Sequence, residues 1–357
     1  MKKTIRHLFI ATTLVAAFAC KGDYTGQDTP VPISFSASAG NMQISSKAGA
    51  VLKEPADFLS DGSFALYGTW TVSNGTSANV FTRQTVTRTL VGSEYKWTYS
   101  PLRYWQKSGV YHFRAIYPIS ANTSSAISNG TTIVAEYSMM TEDYDLMVAN
   151  SEPRDMTTND HSVVPLNFRH ALAAVSFVFQ KGTRGASVGY HLDSFELNHL
   201  VSVGTLVFSS TAQNASLDNQ WWTAEQLRPA SLYHWDRANP GEIPVPVSYN
   251  SFGSTVSGTT WPEWHCVLPQ AISTYEDEKP SVTFSTTIKT GGTYSEPAFT
   301  TILLPETYKE NNVTKPVVWE AGKKYVYYIQ IQPGGATIDV EILPWDEFKV
   351  STGDLNF

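Results

Sequence analysis

The sequence predicts an all-β protein built as two antiparallel β-sandwich domains. Apolar and polar residues alternate in many short segments along the chain, as expected of strands with one buried face. Helical periodicity with capping residues is nearly absent, which disfavours a parallel α/β sheet. Charged residues make up only 16% of the 357 residues, against about 25% in typical soluble domains, whereas Ser, Thr, Tyr, Trp and Phe are abundant. This composition is typical of β-proteins outside the cytoplasm.

The chain begins with a predicted secretory signal peptide, residues 1–19. Basic residues at positions 2, 3 and 6 precede an apolar run at residues 8–19, and Cys20 follows. The run is shorter than the roughly 20 residues that span a membrane, so a signal with a lipoprotein-type ending is predicted. Cleavage before Cys20 would leave its sulfur free to carry lipid such as palmitate. The alternative is ordinary secretion with a free thiol.

Strand candidates follow a small, polar, proline-containing stretch at residues 20–32, which we interpret as a flexible tether. The alternating segments that predict strands are residues 33–37, 64–67, 95–99, 110–115, 166–179, 195–197, 206–208, 282–288, 325–331 and 338–343. Composition changes most clearly in a polar stretch at residues 150–164. We therefore predict an N-terminal domain of residues 33–160 and a C-terminal domain of residues 161–357.

Two long segments of the second half, residues 209–249 and 250–262, are predicted as loops that carry several tryptophans. Long ordered loops are more often functional than merely connecting. Exposed tryptophan faces stack on sugar rings and on protein partners. Trp221, Trp222 and Trp261 are therefore candidates for contacts with surface glycans or proteins of host or bacterium, and burial in the core is the alternative for each.

The sequence predicts no catalytic residue. A Gly-x-Ser-x-Gly pattern around Ser187 lacks the following helix that a nucleophile elbow requires, so it is interpreted as a hairpin loop. The acidic group formed by Glu142, Asp143 and Asp145 is interpreted as solvated carboxylates at a strand end. His170 is interpreted as a buried, hydrogen-bonded imidazole at the domain junction.

No cofactor, metal or nucleic acid is expected either. The eight histidines lack metal-binding spacing, and no glycine-rich phosphate loop is present. The formal net charge of −7 removes the electrostatic attraction that supplies most nucleic-acid affinity. Once Cys20 is acylated only Cys266 remains, and its apolar surroundings predict a buried, inert thiol.

An ordered series of segments resembles the fimbrillin family, the anchored pilin-type lipoproteins of certain Gram-negative anaerobes. The segments are ISFSA (33–37), KA (47–48), FALYG (64–68), YW (104–105), YHFRAIYP (111–118), DLMVA (145–149), VPLNFRHALA (164–173), LPQ (268–270), WEAGKKY (319–325) and VEILPW (340–345). The resemblance covers nearly the whole chain after the signal peptide. It implies two sandwich domains of transthyretin-like type.

The resemblance also implies a function. Fimbrillins are exported to the outer membrane as lipoproteins, cut by a trypsin-like protease within an early strand, and joined into an adhesive surface fimbria when a neighbour's strand fills the vacated groove. The implied partners are other fimbrial subunits, the same or related, and the membrane through the N-terminal lipid. The alternative function is a non-polymerising surface lipoprotein that binds glycans through its loop tryptophans.

Two of the family's sites carry over to positions in this chain. The maturation cut would fall after Lys47, with Lys53 as the nearest alternative, and a solvated lysine in a turn is the competing interpretation of Lys47. The C-terminal residues 348–357 would supply a donor strand through Phe348, Val350 and Leu355. A folded-back tail is the alternative there.

Overall fold

A computed structural model describes residues 30–39, 62–92, 94–121, 123–124, 132–139, 144–182, 188–209, 222–227, 233–242, 259–260, 265–272 and 279–344. The regular secondary structure of these residues is almost entirely β-strand, which confirms the predicted all-β class. The one helical segment among them is a 3₁₀ helix, Met156–Thr158, capped by the Asp155 carboxylate, which accepts from the Thr157 N–H. No helix in this part of the chain is long and apolar enough to cross a membrane.

The strands are numbered in chain order. They are β1 (Phe35–Ala39), β2 (Ser63–Thr71), β3 (Ser77–Val91), β4 (Glu94–Thr98), β5 (Val110–Tyr117), β6 (Thr123–Ser124), β7 (Thr132–Ser138), β8 (Met147–Asn150), β9 (Arg154–Asp155), β10 (Val164–His170), β11 (Ala173–Lys181), β12 (Tyr190–Asn198), β13 (Val201–Ser209), β14 (Trp222–Leu227), β15 (Tyr233–Glu242), β16 (Thr259–Thr260), β17 (His265–Val267), β18 (Gln270–Ala271), β19 (Ser281–Thr290), β20 (Thr293–Tyr294), β21 (Ala298–Leu303), β22 (Thr307–Glu310), β23 (Val313–Pro316), β24 (Val318–Trp319), β25 (Lys323–Gln332) and β26 (Gly335–Pro344).

Four sheets organise most of these strands. The first has the order β1-β10-β8-β5-β2-β3-β4, with β9 paired to β5. The second runs β16-β11-β25-β26 with β17 beside β11, and the third runs β15-β12-β19-β20 with β21 beside β19. The fourth runs β14-β13-β7-β6, and two short ribbons pair β18 with β24 and β22 with β23.

The central strands of the first sheet are buried on both faces. On β2, Phe64 and Leu66 belong to one hydrophobic cluster, whereas Ala65 and Tyr67 belong to the other. We call the first cluster the inner core; it is formed by the first sheet together with Ile33, Trp105 and Met156. The second, larger cluster is the main core, which the other sheets share. Successive residues of a strand point to opposite faces, so the first sheet separates the two cores.

Two strand pairs are parallel within an otherwise antiparallel set of pairings. β1 lies parallel to β10, and β11 lies parallel to β25. Parallel neighbours cannot be joined by a tight hairpin, so both pairs connect segments far apart in sequence. These pairs were not expected from a sequence that predicts antiparallel sandwiches.

The structure differs from the predicted elements in several places. The predicted strand 166–179 is two strands, β10 and β11, which separate after His170 and enter different sheets. The predicted loop 209–249 contains β14 and β15. The division into domains at residues 160 and 161 stays a prediction, and the first sheet runs across that position because β10 belongs to it.

A glycine at the centre of the first sheet provides a test of inner-core packing. A Cβ atom at Gly68 would lie 2.9 Å from ring carbons of both Phe81 and Phe113, which are buried. We expect Gly68→Ala to lower the free energy of unfolding by about 1–3 kcal/mol through overpacking. Gly189→Ala is the control, because its Cβ would meet the Lys289 carbonyl oxygen at an ordinary 3.7 Å. Equal stability of the two variants in denaturant titrations would contradict this account.

Candidate functional site

The first strand lies along an edge of the first sheet, against β10. The register pairs Phe35 with Val164 and Ala37 with Leu166, and the Val164 N–H donates to the Ser34 carbonyl at 2.9 Å. The strand is only five residues long, and no hairpin connects it to its partner. Its attachment therefore depends on this ladder and on the contacts of its side chains.

The residues just before β1 bind the segment that continues from β4, the other edge of the first sheet. The Ile33 N–H donates to the Arg103 carbonyl at 2.9 Å, and the Trp105 N–H donates to the Val31 carbonyl at 3.1 Å. Between them, Pro32 forms an antiparallel bridge with Tyr104. Residues 31–39 thus join the two edges of the sheet. We call these nine residues the seam.

A tyrosine adds a side-chain hydrogen bond across the seam. The Tyr99 hydroxyl donates to the Ile33 carbonyl at 2.7 Å. Burial raises the pKa of the Tyr99 phenol, although the neighbouring Arg103 opposes this effect. The hydroxyl therefore stays protonated, and able to donate, throughout the neutral pH range.

Alternate side chains of the seam enter the inner core. Ile33 is 1% exposed and Phe35 is 5% exposed, whereas Ser36 points to solvent. The Phe35 ring makes edge-to-face contacts with Phe81, Tyr99 and Phe113, at centroid distances of 5.8, 6.0 and 5.2 Å. Each aromatic pair of this kind contributes about 0.5–1.5 kcal/mol beyond its buried area. Phe35 is therefore the main side-chain anchor of β1.

This arrangement is suited to the replacement of β1 by another strand. Without residues 31–39, the backbone groups of β10 and of residues 103–105 would lose their partners, and a groove lined by aromatic rings would open. Unpaired edges of this kind bind an added strand through the same ladder of hydrogen bonds. The candidate functional site is the groove that β1 occupies.

Most of the functional residues that were predicted from the sequence lie outside the described part of the chain. This holds for Cys20, Lys47, Trp221, Trp261, Phe348, Val350 and Leu355. Trp222 is the first residue of β14, where its backbone pairs with Leu206. The glycan-binding role of the tryptophans therefore stays a prediction. Lys47 falls within residues 40–61, which connect β1 to β2.

Three buried ionisable side chains lie on β10, on β5 and just before β8. His170 Nδ1 is 2.7 Å from Asp145 Oδ2, and both side chains are less than 10% exposed. The buried imidazole predicted for His170 is confirmed, but the interpretation of Asp145 as a solvated carboxylate was wrong. Arg114 is also buried, and its desolvation lowers the pKa of its guanidinium to about 10. These groups sit inside the packed sheet.

The structure also places the other chemical candidates. Cys266 is buried, as predicted. Ser187, Glu142 and Asp143 lie outside the described residues. Among the residues that are described, no three His, Cys, Asp or Glu side chains converge as metal ligands would.

The residues whose rings contact Phe35 were not predicted from the sequence. Tyr99 and Phe113 lie at or within predicted strands, but nothing marked their common contact with Phe35. Phe81 lies in β3, which was not predicted because most of its residues face solvent. The available signal was the alternation of Tyr95, Trp97 and Tyr99, which indicates an aromatic face without naming its partner.

The family of this chain is identified by a match to a family model. The family model described as fimbrillin-like matches residues 56–345. No curated protein matches the sequence.

Solved structures match this chain at low sequence identity. A fimbrial protein from Bacteroides vulgatus is 13% identical and superposes with a TM-score of 0.55, over 88% of this chain and 99% of that one. The tip fimbrial protein Mfa3 from Porphyromonas gingivalis is 11% identical, with a TM-score of 0.41 over 89% of this chain and 100% of that one. The first likeness shows a common fold.

The anchoring role of Phe35 can be tested by truncation. We expect Phe35→Ala to lower the free energy of unfolding by about 3–5 kcal/mol, because it removes a buried ring and leaves a cavity among three aromatic neighbours. Phe299→Ala is the matched control, since that ring is 74% exposed and its loss should change stability by less than about 0.5 kcal/mol. Denaturant titration measures both. A similar loss at the two positions would refute the assignment of Phe35 as an anchor.

Proposed function

The chain belongs to the fimbrillin-like family, and on that premise we propose that it is a structural subunit of a cell-surface fimbria that assembles by strand exchange. The observation that carries this proposal is the position of β1. It is a short strand that fills a groove lined by aromatic rings. Together with residues 31–34 it joins β10 to residues 103–105, and no hairpin connects it to either of them. A strand held in this way can be replaced by an equivalent strand from another subunit.

The precursor is exported and anchored before assembly. In this proposal the signal peptide is removed before Cys20, and lipid on Cys20 holds the precursor at the outer membrane. A trypsin-like protease then cuts after Lys47, within the connection between β1 and β2. The cut leaves β1 attached by noncovalent contacts alone, so β1 can leave the groove together with the lipid.

Energetics favour refilling of the groove once β1 has left. The open groove would expose the rings that contact Phe35 and the unpaired backbone of β10. An incoming strand restores the backbone ladder and buries an alternating set of side chains, as β-augmentation does in general. The replacing strand must therefore offer apolar side chains at every second residue.

The C-terminal residues are the proposed donor. The last described strand, β26, ends at Pro344, so residues 345–357 extend beyond it. Fully extended, a segment of that length reaches roughly 40–45 Å, which exceeds the length of the seam. Phe348 and Val350 alternate in the way that Ile33 and Phe35 do, and Leu355 follows. The partners in the assembly are other fimbrial subunits, of the same or a related kind, and the assembled fimbria supports adhesion.

Cleavage should convert the precursor into a polymerising form. We expect limited treatment of the lipidated precursor with a trypsin-like protease to release the N-terminal piece and to yield detergent-resistant oligomers. Lys47→Ala should block both steps, while Lys53→Ala should block neither. N-terminal sequencing locates the cut, and gel electrophoresis without boiling measures the oligomers. A protein that stays monomeric after complete cleavage at Lys47 would exclude strand exchange.

A subunit should need its C-terminal segment to donate a strand to a neighbouring subunit, but not to accept a strand into its own groove. We expect Phe348→Ser combined with Val350→Ser to be cleaved normally and to remain monomeric alone, because the side chains that fill the groove are polar. Mixed with the cleaved parent protein, this variant should shorten the polymers, since its own groove is intact. Phe299→Ser is the control and should polymerise normally. Polymerisation of the double variant at the parental rate would rule out residues 348–357 as the donor.

A further inference from the structure

Strand β21 forms an open edge of the third sheet. On one side it pairs antiparallel with β19, in a register that runs from Ser281 opposite Leu303 to Thr286 opposite Ala298. On its other side no strand of the described residues pairs with it. The backbone groups along an open edge can bind a further strand. The question is therefore which strand fits this edge.

The open edge is formed by the backbone groups of three alternate residues of β21. The N–H of Leu304, which directly follows the strand, donates to the Pro280 carbonyl at 2.8 Å, on the side of β19. In an antiparallel ladder every second residue directs both its N–H and its C=O to the same neighbour. The even-numbered residues of β21 therefore bind β19. The groups that point to the open edge belong to Phe299, Thr301 and Leu303.

The same three residues carry the outward side chains of β21. Phe299 is 74% exposed and Leu303 is 53% exposed, and Thr301 between them is also exposed. Ile302 instead packs against the main core. Two large apolar side chains thus lie at the margin of the sheet, where an added strand would cover them.

The open edge lacks the features that usually keep edge strands apart. Natural sheets protect their edges with charged side chains, prolines or bulges. β21 has no charged residue and no proline between Ala298 and Leu303, and its register with β19 is unbroken. The edge strand β4 of the first sheet, by contrast, carries Glu94 and Lys96. β21 is therefore suited to pairing with another strand.

The strand is complementary to a second copy of itself. In an antiparallel pairing centred on Thr301, each Thr301 lies opposite its counterpart, and each Phe299 lies opposite Leu303 of the second copy. These are the residues whose backbone groups point to the open edge, so the three pairs would exchange about six hydrogen bonds. Phe299 and Leu303 would cover one another as apolar cross-strand neighbours do. A single two-fold axis satisfies both the backbone groups and the apolar side chains.

We propose that β21 pairs with β21 of a second copy of this chain, about a two-fold axis at Thr301. A strand of six residues covers less than the roughly 1,000 Å² that stable interfaces bury, so one such contact is weak. A fimbria repeats the contact in every subunit, and many weak contacts made together give strong attachment. The pairing would then join neighbouring fimbriae side by side, a step that rests on the proposed function.

Disulfide trapping tests the pairing in the uncleaved subunit, so the result does not depend on polymerisation. The chain from residue 21 onward lacks Cys20, and Cys266 is buried. Directly opposed Cα atoms of a hydrogen-bonded pair lie about 5.5 Å apart, a distance that a disulfide can bridge. We expect Thr301→Cys to form a linked dimer during air oxidation with a copper–phenanthroline catalyst. Val313→Cys is the matched control, because Val313 is 57% exposed but lies on β23, outside the proposed contact.

Like charges placed across the pair should prevent the trapping. Phe299→Lys combined with Leu303→Lys sets two lysines opposite each other at both ends of the contact, and both side chains are exposed, so the unfolding midpoint should not change. In the Thr301→Cys protein this change should reduce dimer formation to the rate of the Val313→Cys control. Leu90→Lys combined with Val313→Lys adds the same charge at exposed positions elsewhere and should leave trapping intact. Trapping of Thr301→Cys no faster than of Val313→Cys, or trapping unaffected by the lysines at 299 and 303, would overturn the proposal.

Electron microscopy of cleaved, polymerised protein tests the lateral contact between fimbriae. Parent polymers should associate side by side, whereas polymers with Phe299→Lys and Leu303→Lys should remain single. Equal association of the two would overturn the lateral role of β21. Absence of polymers after cleavage would refute the assembly proposal, and disulfide trapping of the uncleaved chain would still decide whether β21 pairs with itself.

Discussion

Closure of the first sheet by residues 31–39 is the constraint on which the rest of the molecule depends. The sheet closes on itself, because residues 35–39 pair with β10 on one side and residues 31–33 bind residues 103–105, which follow β4, on the other. Ile33 and Phe35 of the same segment insert into the inner core. The inner core therefore depends on a segment of nine residues for part of its protection from water.

The first sheet can tolerate an open seam because its other face is packed independently. Leu66 and Phe113 contribute to the inner core, whereas Tyr67, Ile116 and Val148 pack into the main core. The central strands would therefore remain held by the main core when β1 is absent. The first sheet is therefore packed on two faces, and Phe35 and Ala37 of β1 pack into the inner core.

The sequence predicted the all-β class correctly, and its predicted strand segments fall on β1, β2, β4, β5, β10 to β13, β19, β25 and β26. Local alternation identified the segment around Phe35 and the aromatic face that ends at Tyr99, because these patterns need only nearest neighbours. It could not identify β10 as the partner of β1, since parallel pairing of distant segments leaves no local signal. All nine residues of β11 are buried, so that strand shows no alternation and merged with β10 in the prediction. Asp145 was misjudged for a related reason, because its partner His170 is remote in sequence.

The parallel pairing of β1 with β10 also sets an order of events during synthesis. Phe35 leaves the ribosome early, but its partner Val164 follows only after β2 to β9. Closure of so large a loop costs conformational entropy that the contacts of one short strand must outweigh. The oldest strand of the emerging chain is therefore the last to be placed in the sheet. For that interval the nascent chain has an empty groove, so newly made copies must be kept apart or fold faster than they meet.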